Sequence, residues 1–176
     1  MQLELVSHNV IHSFWVPALA GKIDMIPGRV NRLRLHAAAP GTYRGQCAEY
    51  CGGQHAKMAL HVVALAPADY AGWFAARRAA TAEAPAGPGP ELFARNGCGL
   101  CHAVRGTAAA GTIGPDLSDV GGRAWLAGGT VRNTRDNMAR WISDSQALKP
   151  GSRMPAYRQF SPEELGVLAD YLGSLR

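Results

Sequence analysis

The sequence contains no long apolar segment. Although 47% of its residues are hydrophobic, no run approaches the roughly 20 apolar residues that a membrane-spanning helix needs. The first residues, MQLELV, alternate polar and apolar side chains, which is typical of a strand and not of a secretory signal. As given, the chain is expected to be a soluble fragment.

Blocks of lysine and arginine are also absent. The formal net charge is +5, with eight basic against five acidic residues up to Glu83 and ten against eight after it. Nucleic-acid-binding domains concentrate positive charge on one face or one helix. Binding of nucleic acid is therefore not expected.

Cysteine is scarce, and all four cysteines lie in motifs that also contain histidine. If both motifs hold cofactors, no cysteine remains for a structural disulfide. The pattern therefore indicates metal or cofactor chemistry, and no residue stands out as a general base or a catalytic nucleophile.

The first motif, CAEYCGGQHAKM, contains Cys47, Cys51, His55 and Met58. Thiolate, imidazole and thioether ligands select copper over magnesium or calcium. A single blue-copper site uses one cysteine, whereas two thiolates can bridge two copper ions if another imidazole is available. His12, in SHNVIHSFWVP, can supply it.

These residues also permit simpler interpretations. The Gly52-Gly53 pair favours a loop, although positions 47, 51, 55 and 58 would also share one face of a helix. Cys47 and Cys51 could form a disulfide in an oxidising compartment. Taken alone, His12 would suit a structural histidine and Met58 a core position.

Short strands are predicted for the first half of the chain. Apolar residues recur in three runs, residues 2–5, 30–35 and 60–65, with Pro40-Gly41 among the turn signals. An antiparallel β-sandwich or small barrel is expected. Residues 67–80 then predict a short amphipathic helix.

The composition changes at residues 79–90, AATAEAPAGPGP, which have no apolar periodicity and many helix breakers. A flexible chain of about a dozen residues spans roughly 20 Å. We interpret this segment as a linker, and we expect the next helix to begin at Pro90.

The second motif consists of Cys98, Cys101 and His102 in the order C-x-x-C-H, which is the attachment signal for c-type haem. The two thiols add to the haem vinyl groups, and the histidine is placed to ligate iron. A zinc site or a redox C-x-x-C motif would not require the histidine. Zinc would also need further ligands nearby, and none follows.

A c-type haem also uses a sixth iron ligand. A thioether raises the potential of iron and suits an electron carrier, and Met154, in GSRMPAY, is one candidate for this ligand. Met138 is the alternative, but it lies in residues 134–143, which predict a helix.

The end of the chain predicts a helix that begins with a capping box formed by Ser161 and Glu164, with Pro162 between them. One apolar stripe follows and consists of Leu165, Leu168, Ala169 and Leu172.

Several separated motifs of the first half resemble the CuA-binding domain of cytochrome c oxidase subunit II: SHNVIHSFWVP, KIDMIPGR, and PGTYRGQCAEYCGGQH followed by Met58. The resemblance extends from about residue 7 to about residue 65 and implies a cupredoxin-like fold. It implies a dinuclear copper centre in which both cysteines bridge the metals. The implied ligands are His12 and Met58 on one copper, His55 and the backbone carbonyl of Glu49 on the other, and Cys47 and Cys51 on both.

The same resemblance carries further expectations. The Glu49 carboxylate is associated with a magnesium ion at the contact with oxidase subunit I. The family often has aspartate where this chain has Asn9, a mild change. It also has two membrane helices and further strands before the position of Gln2, so we expect a domain truncated at its N-terminus, with a membrane anchor absent from this chain.

Residues 91–175 resemble class I cytochromes c, which implies an all-α fold with covalently attached haem c. The resemblance implies iron ligation by His102 and Met154. In the GPDL segment the carbonyl of Pro115 would accept the N–H of His102 and fix its ring. The expected organisation is therefore a CuA domain over residues 1–78, a flexible linker over 79–90 and a cytochrome c domain over 91–176.

Together the resemblances imply an electron-transfer subunit of a proton-translocating terminal oxidase. Electrons would pass from an upstream cytochrome or quinol-oxidising complex through haem c to the copper pair and on to subunit I, where oxygen is reduced to water. The expected location is the periplasm or the outer face of a bacterial cytoplasmic membrane.

Three alternatives are open. The same relay could serve a nitric oxide or nitrous oxide reductase. The chain could instead deliver or store copper, with an unrelated haem domain attached. Finally, the first half could be a misfolded remnant beside a working cytochrome.

Overall fold

The computed structural model describes residues 1–79 and 86–176. The chain divides into two compact units, the first formed mainly by Met1–Ala79 and the second mainly by residues after it. Half of the expected linker, residues 80–85, lies outside the described residues, whereas Ala79 and residues 88–90 belong to helices and not to a flexible segment. The domain bounds that the sequence indicates stay a prediction.

The first unit is built from six short strands. They are β1 (Gln2–Leu5), β2 (His12–Phe14), β3 (Ile23–Met25), β4 (Asn31–Arg34), β5 (Gly41–Gln46) and β6 (Ala59–Ala64). All pairings are antiparallel and two-stranded, with β1 beside β4, β2 beside β3 and β5 beside β6. The three predicted strand runs correspond to β1, β4 and β6, because alternation of apolar side chains reports a half-buried strand.

Backbone hydrogen bonds bring the end of β5 against the end of β2. The amide of Gln46 donates to the carbonyl of Trp15 over 3.0 Å, and the amide of Ala48 donates to the carbonyl of Ser13 over 3.0 Å. Gly45 makes this approach possible, since a Cβ there would lie 2.6 Å from the Trp15 carbonyl oxygen. His12 and Cys47 therefore meet although 35 residues separate them.

The predicted helix after the strands is present as α1 (Pro67–Ala79). Tyr70, Trp73 and Phe74 lie on one exposed side of it, with Tyr70 stacked on Phe74 at 6.0 Å between ring centroids. Arg77 and Arg78 continue this side and cover the rings of Trp73 and Phe74.

Helices dominate the second unit: α2 (Pro88–Arg95), α3 (Arg135–Ser143), α4 (Ser145–Leu148) and α5 (Pro162–Ser174). The unit was expected to be all-α, but its described residues also include a small hairpin of β7 (Trp125–Leu126) and β8 (Val131–Arg132). Helix α5 packs against α2 and α3. The core between them contains Leu92, Phe93, Val104, Val120, Met138, Ile142, Phe160, Leu168 and Leu172.

The predicted start is confirmed for helix α5 and is wrong for helix α2. Ser161 and Glu164 form the predicted capping box at the start of α5. Helix α2 begins at Pro88 and not at the expected Pro90. The earlier start places Gly89 against the Tyr171 side chain, where a Cβ would collide, so tertiary packing decides where this helix begins.

No helix among residues 1–79 and 86–176 combines the length and apolar character needed to cross a bilayer.

Candidate copper and haem sites

Six potential copper ligands converge in the first unit. The Sγ atoms of Cys47 and Cys51 are 3.8 Å apart. Around them lie His12 Nδ1, 3.9 Å from Cys47 Sγ, and His55 Nδ1, 3.6 Å from Cys51 Sγ. The remaining two donors are the Sδ of Met58, 3.8 Å from Cys51 Sγ, and the carbonyl oxygen of Glu49, 3.2 Å from Cys47 Sγ.

The spacing of the two sulfurs suits thiolates that share metal ions. Metal–sulfur bonds of about 2.3 Å with near-tetrahedral angles, as around zinc, hold two sulfurs roughly 3.8 Å apart. A disulfide would require about 2.05 Å, and none of the four cysteines, all within the described residues, is in a disulfide. A soft ligand set of this kind fits copper.

The chain reaches this geometry through a tight loop. Gly52 adopts φ of 118°, in the region that favours glycine, and a 3-10 turn over His55–Lys57 follows. The amide of Cys47 donates to the carbonyl of Met58 over 2.9 Å, which returns the thioether to the cysteines. The Gly-Gly pair therefore marks a loop, and the helical alternative for this motif is wrong.

Three residues beside the ligands were not predicted as part of the site. Gln46 Nε2 donates to the carbonyl of His55 over 3.1 Å. The Tyr50 ring meets the His55 ring edge-on, with centroids 5.7 Å apart. Asn9 Oδ1 lies 3.2 Å from His12 Nε2. Polar side chains three residues from a ligand are the sequence signal that could have identified Asn9.

The exposed carboxylate of Glu49 belongs to the expected magnesium contact. Among the described residues, the cluster of three or more potential ligand side chains consists of His12, Cys47 and Cys51. The magnesium expectation therefore stays a prediction.

The haem motif lies just after α2. Cys98, Cys101 and His102 are half-buried, and His102 Nδ1 is 2.8 Å from the carbonyl oxygen of Pro115. Because this bond occupies Nδ1 as donor, it leaves Nε2 with the lone pair that iron requires. Gly114 provides the space, since a Cβ there would lie 2.5 Å from the His102 ring. The expected contact between Pro115 and His102 is thus present.

The attachment cysteines lie in a partly buried environment. Burial raises the pKa of the Cys98 thiol and Cys101 adds to the rise, against a backbone hydrogen bond that lowers it. Burial also raises the pKa of the Tyr157 phenol, with smaller contributions from negative charge on Cys98 and Cys101. Tyr157 is therefore a neighbour of the attachment cysteines that sequence reasoning missed.

The two methionines considered for iron differ in their surroundings. Met138 is only 3% exposed and belongs to the core between α3 and α5. Met154 is half-buried in a loop at the edge of that core. The buried Ser145 donates to the carbonyl of Met154 over 2.6 Å. Met154 stays our prediction for the sixth ligand.

Comparisons with known proteins agree with these two sites. Residues 86–176 match the family model for cytochrome c, and residues 1–65 match the model for the periplasmic domain of cytochrome c oxidase subunit II. The chain belongs to the cytochrome c family, whose model matches more than half of it, and its first 65 residues are similar to the subunit II periplasmic domain. The first domain implies CuA copper, the second implies haem, and the family description indicates a periplasmic position.

Curated relatives match almost the whole chain. Cytochrome c oxidase subunit 2 of Alkalihalophilus pseudofirmus is 43% identical over 98% of this chain and 51% of that protein. The Bacillus subtilis protein of the same name is 33% identical over 98% of this chain and 52% of that protein. The chain thus spans about half the length of these relatives.

A solved structure also resembles part of the chain. The periplasmic domain of subunit II of cytochrome oxidase from Bradyrhizobium japonicum is 36% identical, with a TM-score of 0.42, over 44% of this chain and 56% of that one. The strand-rich and helical halves, together with the two family models, confirm the expected fold class of a cupredoxin-like domain followed by a cytochrome c domain.

Proposed function

We propose that this chain carries electrons into a terminal respiratory oxidase as part of its subunit II. The observation that carries the proposal is the convergence of six copper-ligating atoms in a chain that also holds a C-x-x-C-H haem motif. When bound, haem and a copper pair each accept and release one electron at a time, which the side chains alone cannot do.

The side chains of the second unit would hold the haem and keep it low-spin. Cys98 and Cys101 would attach it covalently, and His102 and Met154 would supply the ligands of its iron. The bond from His102 to Pro115 fixes the imidazole orientation, and a thioether ligand favours the ferrous state. These residues act by binding and orientation, since none of them moves a proton.

The side chains of the first unit would hold two coppers with little change of geometry. Cys47 and Cys51 would both supply thiolates to the copper pair, and burial of Cys47 limits the access of water to its sulfur. His12 would bind beside Cys47 and His55 beside Cys51. Ligands fixed in this way need little rearrangement when an electron arrives or leaves.

The whole protein would work only in a complex. Its electrons would come from an upstream cytochrome or quinol-oxidising complex and leave to subunit I for reduction of oxygen and proton translocation. Glu49 would bind magnesium at the contact with subunit I. A membrane anchor in the whole protein would hold both domains at the outer face of the cytoplasmic membrane, and residues 79–90 would serve as linker between domains over 1–78 and 91–176.

Metal analysis and electron paramagnetic resonance of the copper-loaded chain test the copper assignment. We expect two coppers per chain that share one unpaired electron, and loss of that signal in Cys51→Ser. A single copper that exchanges readily with chelators would favour copper delivery and overturn the relay.

Turnover of the assembled oxidase tests the route. Replacing Met154 by alanine should slow electron entry from the physiological donor while leaving the copper signal unchanged. An artificial donor that reduces the copper pair directly should restore turnover. Equal turnover of the variant and the parent with the physiological donor would contradict passage through the haem.

A further inference from the structure

The His12 ring lies between the copper ligands and a neutral amide. Its Nδ1 faces Cys47 Sγ at 3.9 Å, while its Nε2 is 3.2 Å from Asn9 Oδ1. A neutral imidazole carries one N–H. An oxygen acceptor beside Nε2 selects the tautomer with the proton there and leaves the Nδ1 lone pair for metal.

Asn9 is itself held by a buried serine. Ser7 is 8% exposed, and its hydroxyl donates to the carbonyl of Val10 over 2.5 Å. The same oxygen accepts the backbone N–H of Asn9 over 3.4 Å and lies 3.3 Å from Asn9 Oδ1. These contacts hold the backbone of Asn9 in a turn, from which its exposed side chain reaches His12.

We propose that Asn9 is a positioning residue for His12 and that its neutrality sets the electron-donor strength of this ligand. The inference rests on the proposed function, because it requires His12 to bind copper. A carboxylate acceptor would draw the Nε2 proton away from the ring and make the imidazole a stronger donor, which stabilises the oxidised metal. An amide oxygen accepts more weakly. The copper centre of this chain is therefore easier to reduce than it would be with aspartate at position 9.

Two substitutions separate orientation from donor strength. Asn9→Asp keeps an oxygen acceptor but adds charge, whereas Asn9→Leu keeps the approximate shape and removes the acceptor. Asn31→Asp is the matched control, because Asn31 lies in the same unit and donates to the carbonyl of Asp24 and not to a ligand. All variants are prepared as the full chain with copper and haem.

Three measurements on these variants give distinct expectations. In Asn9→Asp the copper equilibrium with a redox partner should shift about three- to tenfold toward the oxidised form, or roughly 30–60 mV for one electron, with normal copper retention. In Asn9→Leu copper loss to a chelator should be about 10- to 100-fold faster. Nitrogen hyperfine coupling should change for one of the two histidines in both variants.

The outcomes distinguish this inference from the proposed function. If the parent binds no copper pair, both are overturned. If the parent binds the pair but Asn9→Asp has the parent's potential and nitrogen coupling, only the role of Asn9 is overturned. If Asn31→Asp shifted the copper potential as much as Asn9→Asp, the added charge alone would explain the shift, and the role of Asn9 would again be overturned.

Discussion

Ser145 donates its hydroxyl, which is fully buried, to the carbonyl oxygen of Met154 over 2.6 Å. Gln146 Nε2 reaches the same carbonyl oxygen at 3.2 Å. On the other side of the residue, the Met154 amide donates to Ser152 Oγ over 3.3 Å. The backbone of the predicted sixth ligand is thus fixed before its side chain reaches iron, and helix α4 supplies two of the three groups that fix it.

Replacing Ser145 by alanine should loosen this loop. The carbonyl of Met154 would lose its shorter partner and keep the longer bond from Gln146, and loss of one hydrogen bond costs about 0.5–1.5 kcal/mol. We expect lower stability in guanidinium unfolding and a weaker absorption band of the methionine–iron bond. Ser174→Ala is the control, because Ser174 also donates to a carbonyl, that of Tyr171, at the far end of α5. Equal effects of the two substitutions would argue against a specific role for Ser145.

Gly114→Ala should damage the haem site without touching a ligand. Its Cβ would lie 2.5 Å from His102 Cε1 and 2.6 Å from Nδ1, so the ring must turn away from Pro115. We expect less covalently bound haem and a partly high-spin spectrum in the haem that is attached. Gly122→Ala places a methyl group in open space and should keep the parent spectrum. A low-spin spectrum in Gly114→Ala would contradict the assigned role of this glycine.

Gly89→Ala should destabilise the packing of α2 on α5. The added methyl group collides with Tyr171, and overpacking of this kind costs about 1–3 kcal/mol. Gly173→Ala, also in a helix of the second unit, meets nothing within 4 Å and should gain about 0.5–1 kcal/mol from helix propensity. Denaturant unfolding followed by circular dichroism measures both changes. If Gly89→Ala also gained stability, helix propensity would outweigh the collision with Tyr171.

Asp170→Asn should make stability less dependent on acid pH. Arg135 donates to both carboxylate oxygens, at 2.7 and 3.1 Å, and these bonds lower the pKa of Asp170. A lowered folded-state pKa means that the pair stabilises above the ordinary value of about 4. That stability is lost as pH falls through the folded-state value.

Thermal unfolding checks this expectation. At pH 7 the variant should melt a few degrees lower at most, because exposed ion pairs contribute little. The difference in melting temperature between the parent and the variant should become smaller below about pH 4 and in high salt. If this difference changed with neither pH nor salt, the effect would come from packing of the Arg135 side chain.

Residues with distinctive donor atoms were the most predictable from sequence. Cys47, Cys51 and His55 follow one another at fixed intervals, and the structure brings His12 and Met58 to them. Strand positions and the start of α5 followed for a similar reason, since alternation and a capping box are local signals.

Residues whose role depends on distant neighbours were not predictable in this way. Ser145 is an ordinary polar residue in the sequence, and it matters because the fold places the carbonyl of Met154 beside it. Gly89 similarly permits α2 to begin two residues before the expected position, and only the Tyr171 side chain reveals why. Local sequence patterns do not predict contacts between residues that are far apart in the chain.

Gly45 has no donor atom, yet it determines whether the donors assemble. A methyl group at this position would press on the Trp15 carbonyl and on the side chains of Val16 and Leu60, and would force apart the two segments that bear His12 and Cys47. A substitution at Gly45 would therefore reduce copper binding as strongly as loss of a ligand, although all six ligands would still be present in the sequence.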